Sequence, residues 1–154
     1  FYTGIPRIAS EVAKSYINKI NDQKKQLVLM QDMVKEALSI LTSNRNLTDL
    51  GKLLDESWQL KRSLSSQVSN SDIDDIYQSS LSSGAIGGKL IGAGGGGFLL
   101  LFVPPYYQKK VREKLSKLIY VPLKFESQGS QIIFYDPQED YSAEIKRRLK
   151  SNLK

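Results

Sequence analysis

Residues 87–103 read Gly87-Gly88-Lys89-Leu90-Ile91-Gly92-Ala93-Gly94-Gly95-Gly96-Gly97-Phe98-Leu99-Leu100-Leu101-Phe102-Val103. Five glycines in the six positions 92–97 carry a high conformational-entropy cost, so the backbone there needs positive φ angles or has to let something approach closely. Successive amides bared in this way form a nest for phosphate or carboxylate oxygens. The competing reading is a tight β-hairpin whose glycines only permit close packing. Both readings put the run between two strands. Gly88–Ile91 is a short extended piece, and Phe98–Val103 is an unbroken apolar run suited to a sheet covered on both faces. Pro104 and Pro105 stop it.

The flanks narrow the kind of loop. Gly92, Gly94 and Gly97 satisfy G-x-G-x-x-G, but a dinucleotide fingerprint needs a helix after the glycines, and a strand follows here. A Walker loop around Gly88-Lys89 would need Gly at Ser83 and Ser or Thr at Leu90, and has neither. A protein-kinase glycine hairpin requires an H-R-D catalytic loop, which a chain without histidine cannot supply.

Working outward toward the N-terminus, Ser71-Asp72-Ile73-Asp74 has capping-box spacing and opens a helix with Ile73, Ile76, Tyr77 and Leu81 inward, closed by Gly84. Before it, Leu47, Leu50, Leu54, Trp58, Leu64 and Val68 predict a helix starting near Asn46 or Thr48. Lys61 interrupts that apolar stripe. Either its stem packs beside Trp58 with the ammonium in water, or it meets an anionic ligand. Lys61 and Arg62 are about 100° apart on a helix, so only one of them can point inward. Further back, Val12, Tyr16, Ile20, Leu27, Met30, Val34, Leu38 and Leu41 predict one long helix entered at Pro6 and Ser10, bent or exposed at Asn21–Lys25 and ended by Thr42–Asn46. Phe1–Gly4 reads as the end of a strand.

On the other side, Tyr107–Leu118 is helical, Val121–Phe125 a strand, Gly129 a turn, and Gln131–Tyr135 a last strand. Strand, three helices, two strands, helix and two strands predict an α+β fold: a ferredoxin-like two-layer sandwich with helices on one side of a mainly antiparallel sheet. Residues 1–136 form that domain, and 137–154 a helical or flexible basic tail.

Composition bounds the chemistry. The chain has 154 residues, 40% hydrophobic and 25% charged, as expected for one globular domain. It has no cysteine and no histidine, which removes disulfides, thiolate and imidazole metal sites, and Ser-His or Cys-His nucleophiles. The net charge of +6 does not predict nucleic-acid binding. Lys109, Lys110, Arg112, Lys114 and Lys117 surround Glu113 on one helix, with no stacking aromatics beside them. No apolar run reaches the roughly 20 residues of a membrane span. The start at Phe1 lacks the features of a signal peptide and reads as the middle of a longer protein, expected in the cytoplasm.

Gly87–Phe98 resembles the third signature of GHMP kinases, a strand–loop–strand of the form K-x-x-G-A-G-G-G-G. Asp55–Ser65, with Phe1-Tyr2-Thr3-Gly4 and Arg7, is similar to the heptose phosphate kinase branch of that family. The resemblance covers about residues 1–136 and implies a two-domain enzyme that passes the γ-phosphoryl of ATP to a sugar phosphate. It leaves ATP, Mg²⁺ and any catalytic base mainly to an N-terminal half, so this part, which would hold no catalytic residue and no metal, is expected to be inactive alone. It also implies that Gly92, Ala93, Gly94, Gly95, Gly96 and Gly97 contact phosphate or substrate, and that Lys61, Arg62, Thr3 and Arg7 are candidate substrate contacts. For Thr3 and Arg7, capping and anchoring is the competing role. An apolar seam around the glycine run and the Trp58 helix is expected to favour self-association. Other GHMP kinases (galactokinase, fucokinase, mevalonate kinase) and a non-catalytic ligand-binding module of the same fold are the alternatives.

Overall fold

The computed structural model describes residues 1–17, 19–133, 136, 138 and 140–151. Its elements run α1 (Ala9–Ile17), α2 (Lys24–Thr42), α3 (Thr48–Arg62), α4 (Ser71–Ser82), β1 (Gly87–Leu90), β2 (Leu99–Phe102), a 3-10 turn (Pro105–Tyr107), α5 (Gln108–Lys114) and α6 (Ser142–Ser151). They divide into two compact units, Phe1–Pro122 and Leu123–Lys154. In the second, the Asp140 carboxylate accepts the Ser142 N–H at 2.9 Å ahead of α6, and Arg148 donates to Glu144 at 2.7 Å one turn along the helix.

In the first unit, β1 and β2 pair antiparallel with Gly87 opposite Phe102 and Leu90 opposite Leu99. The chain start extends this pairing. Tyr2 bridges both Phe98 and Ile119, and the Leu99 N–H donates to the Phe1 carbonyl at 2.7 Å. Helix α3 lies directly on the sheet because two glycines remove the side chains between them. A Cβ on Gly87 would sit 2.0 Å from the Gly51 carbonyl, and one on Gly51 would sit 2.8 Å from the Phe102 ring. The core above the sheet is Trp58, Val68, Ile73, Tyr77, Leu90 and Leu99, with Ile5, Tyr16, Ile76, Leu81 and Leu101 packed around it. Trp58 and Tyr77 rings meet at 6.3 Å, and truncation of a Trp as buried as this one costs about 3–5 kcal/mol. The α+β arrangement, an antiparallel sheet with helices packed on it, is the one expected.

Several local expectations change. The long helix is two helices. After Ile17 the chain turns through short-range bonds, Ile20 N–H to Ile17 O and Gln23 N–H to Ile20 O, and restarts at Lys24. The turn is held by Gln23, whose buried amide donates to the Leu64 carbonyl at 2.5 Å. The least exposed stripe of α2 is Gln26, Met30, Met33, Ala37 and Ile40, half-buried except for the fully buried Ile40, and α2 packs on α3. Of the predicted stripe only Met30 belongs to it, and Val34, Leu38 and Leu41 are 59–68% exposed. Helix α3 ends at Arg62. Leu64 and Val68 are buried from the turn that follows, not from the helix. The cap of α4 is Asn70, one residue before the predicted serine, its side chain accepting the Ile73 N–H at 3.0 Å. Val121–Phe125 is not a strand. Pro122 has no N–H for a ladder, and Val121, Leu123 and Phe125 are exposed. For Gln131–Tyr135, residues 131–133 are not a strand, and 134 and 135 lie outside the described residues.

Candidate functional site

The glycine run leaves β1 at Ile91, whose N–H donates to the Phe98 carbonyl at 2.9 Å, and returns to β2 through Phe98. Between these ends Gly92, Gly94, Gly95, Gly96 and Gly97 all have positive φ, a path closed to most side chains. Gly94 needs both freedoms of glycine: φ is +115°, and a Cβ there would lie 2.8 Å from the Val68 carbonyl. Two of the six amides are used internally. Gly95 donates to Val68 O at 2.8 Å and Gly97 to the Thr3 hydroxyl at 3.1 Å. The amides of Gly92, Ala93, Gly94 and Gly96 meet no acceptor among the described residues. Of these four residues Gly92 is exposed and Ala93 half-buried, while Gly94 and Gly96 are buried. Ile91 and Phe98, which flank the run, are 51% and 48% exposed.

Thr3 is the clamp on this loop. Its Oγ1 donates to the Gly97 carbonyl at 2.9 Å and accepts the Gly97 N–H, while its own N–H donates to Gly97 O at 2.8 Å. Thr3 is 7% exposed and reaches this place because Phe1–Thr3 runs along the end of β2. The next residues carry Arg7 across the glycines. One guanidinium nitrogen lies 2.9 Å from where a Cβ of Gly92 would stand and 3.3 Å from that of Gly97. Among the described residues Arg7 pairs with no carboxylate, and its buried Nε has no hydrogen-bond partner.

The two cations at the end of α3 diverge, as their angular separation requires. Lys61 turns inward, is 9% exposed, and donates to the Gly92 carbonyl. Arg62 turns the other way, bonding Asp74 at 2.6 Å and Gln59 at 3.2 Å, and lines a polar depression of about 500 Å³ with Ser65, Ser69 and Asn70. A third cation was not among the sequence candidates. Lys89 on β1 donates to Ser57 Oγ at 2.9 Å, and Ser57 is one helical turn before Lys61 on the same face of α3. Its signal was its place as the lysine that opens the K-x-x-G-A-G-G-G-G pattern, inside a short, otherwise apolar and glycine strand; only the register of α3 on β1 gives it company.

Arg7, Lys61 and Lys89 have no carboxylate within 4.0 Å among the described residues, whereas Arg45, Lys35, Lys52 and Arg62 each do. The repulsion is felt. Burial first, then Lys89 and Arg7, pushes Lys61 down to about 8, and burial holds Lys89 below the ordinary lysine value. Arg7 and Lys61 against the glycine loop, with Lys89 as an electrostatic neighbour of Lys61, favour an oxyanion there over a divalent cation. Among the described residues no group of three acidic side chains is placed to hold a metal ion. Nor is any helix there long and apolar enough to cross a membrane.

The α+β domain thus presents a strand–glycine loop–strand with buried cations against it. Residues 33–121 match the family described as GHMP kinases C terminal, and the chain belongs to that family. It is 30% identical over 97 residues to the D-glycero-alpha-D-manno-heptose 7-phosphate kinase of Campylobacter jejuni, a stretch of 61% of this chain and 28% of that kinase. Its fold is similar to that of the L. major mevalonate kinase crystallised with R-mevalonate, with a TM-score of 0.63 and 26% identity over 75% of this chain and 36% of that one. The Methanococcus jannaschii mevalonate kinase gives 0.63 and 27%, over 75% of this chain and 34% of that one. The chain thus spans about a third of the length of these relatives.

Proposed function

We propose that this chain is the substrate-side, C-terminal part of an ATP-dependent kinase of the cytoplasm that phosphorylates a heptose phosphate, on the route to nucleotide-activated heptose for surface glycans. The kinase class is supported by the family to which residues 33–121 belong, and the heptose phosphate by the Campylobacter relative. The observation that carries the reading is the loop of bare amides with Arg7 and Lys61 against it. Phosphoryl transfer asks a protein mainly for positioning and charge stabilisation, and these groups supply both. The free amides of Gly92 and Ala93 donate to phosphate oxygens, Arg7 and Lys61 neutralise their charge, and Thr3 keeps the loop in register.

Phosphate oxygens suit these residues; Mg²⁺ does not, since Arg7 and Lys61 lie against the loop and neither has a carboxylate within 4.0 Å among the described residues. The metal, most of the ATP and any catalytic base belong to an N-terminal half that closes on this surface. The test is ATP-dependent phosphorylation by the full-length protein of a panel containing heptose phosphate, free heptose, galactose, fucose and mevalonate. Turnover of the heptose phosphate alone is expected. Preferential turnover of mevalonate or a neutral hexose refutes the substrate, turnover of none refutes the kinase, and turnover by residues 1–154 alone refutes the division of labour.

A further inference from the structure

We infer that Arg7, Lys61 and Lys89, with the amides of Gly92 and Ala93, form a preformed site for a metal-free phosphate dianion, which receives the phosphate already carried by the acceptor and not the triphosphate of the nucleotide. The inference rests on the kinase reading above and goes further by dividing the phosphates of the reaction between surfaces. It starts from charge. Lys61 Nζ sits on the Gly92 carbonyl, Arg7 lies over Gly92 and Gly97, and Lys89 stands one turn along the same face of α3 through Ser57. Lys61 is buried without a counter-ion and feels the charges of Lys89 and Arg7, which costs the fold stability, and a phosphate monoester of charge about −2 offsets that cost.

The same charge argues against the nucleotide. A triphosphate reaches a kinase with Mg²⁺, whose bridging of phosphate oxygens calls for carboxylate or hydroxyl ligands. Here a divalent cation would face three like charges and no acid. The groups facing Lys61 from the segments around it are Arg7 before α1 and Lys89 on β1, both basic. Selectivity for a phosphorylated acceptor follows, because an unphosphorylated one leaves the cluster buried and unpaired.

Binding and kinetic measurements test this. Titration of inorganic phosphate into residues 1–154, read from the amide resonances of Gly92 and Ala93, should give saturable binding that Mg²⁺ does not strengthen. Lys61→Met, Lys89→Met and Arg7→Ala should each weaken it about tenfold or more, and Lys110→Ala, an exposed cation on α5, less than about twofold. Circular dichroism establishes that each variant is folded. At pH 9, where free Lys61 is largely neutral, binding should take up protons, seen as a heat that varies with buffer ionisation enthalpy, and Lys61→Met should abolish it.

In the full-length enzyme the same variants should raise KM for the phosphorylated acceptor about tenfold, leaving KM for ATP within about twofold. Loss of ATP affinity with acceptor KM unchanged overturns the inference in favour of the nucleotide, as does phosphate binding that requires Mg²⁺. Absence of phosphate binding in the folded wild type overturns it outright. If phosphate binds as expected but no phosphorylated acceptor is turned over, the kinase reading fails and the anion site stands.

Discussion

Lys61→Met isolates the electrical tension of the site. In the folded chain Lys61 titrates at about 8, against an ordinary value of 10.5. Below pH 8 it is charged in both the folded and the unfolded chain, and the folded state bears the full penalty. Above 10.5 it is neutral in both and the penalty is gone. Wild-type stability attributable to this group therefore rises with pH between about 8 and 10.5. One pKa unit corresponds to about 1.4 kcal/mol, so the full difference is about 3 kcal/mol; water reaching the ammonium screens it to about 1–2 kcal/mol. The chain has a single tryptophan, the fully buried Trp58, which reports urea unfolding by fluorescence. Measured at pH 7.5 and 10.5, the wild type should gain about 1–2 kcal/mol relative to Lys61→Met, because every other titration is shared by the two proteins. At pH 7.5 the variant should be close to wild type or more stable, since the hydrogen bond to Gly92 O that it loses is worth about 1 kcal/mol. A difference that stays constant within about 0.3 kcal/mol across this range refutes the argument that the buried lysine is held beside uncompensated charge.

Three further outcomes are expected. Gly94→Ala should cost on the order of 3 kcal/mol in urea unfolding, because its Cβ meets the Val68 backbone at 2.8 Å under a φ of +115°; Gly129→Ala, at φ +66° with nothing within 4 Å, should cost about 1 kcal/mol. Thr3→Val should cost about 1–3 kcal/mol by leaving the Gly97 N–H buried without its acceptor, whereas Thr3→Ser, which keeps the hydroxyl, should lose less than 1 kcal/mol; the two midpoints in thermal unfolding check this. Asn70→Ala should destabilise by about 1 kcal/mol and Ser71→Ala by only a few tenths, as chemical denaturation would read, since Asn70 is the residue that caps α4.

The sequence was most readable where a residue type admits few backbone states. A glycine run between two apolar strands had to be a loop with positive φ, and Pro104-Pro105 had to end β2. The period of helix α2 was readable, but its face was not. Leu27, Val34, Leu38 and Leu41 are as apolar as Met30, Met33, Ala37 and Ile40, and only contact with α3 selects the second set. Val121–Phe125 failed as a strand for a related reason: β-propensity describes fitness for a pleated neighbour, and Pro122 spoils the pairing.

For the site, the sequence by itself determined the loop and the two adjacent cations, because glycine content and helical angles are local properties. The tertiary structure decided which cation turns in, that Thr3 clamps Gly97, and that Lys89 joins Arg7 and Lys61. These pairs are 94, 32 and 31 positions apart in the chain, joining Thr3 to Gly97, Lys89 to Ser57 and Lys61 to Gly92. Charges so distant along the chain come together only when Gly51 and Gly87 let α3 settle on β1, and that contact is a property of the packed layers, which no local pattern encodes.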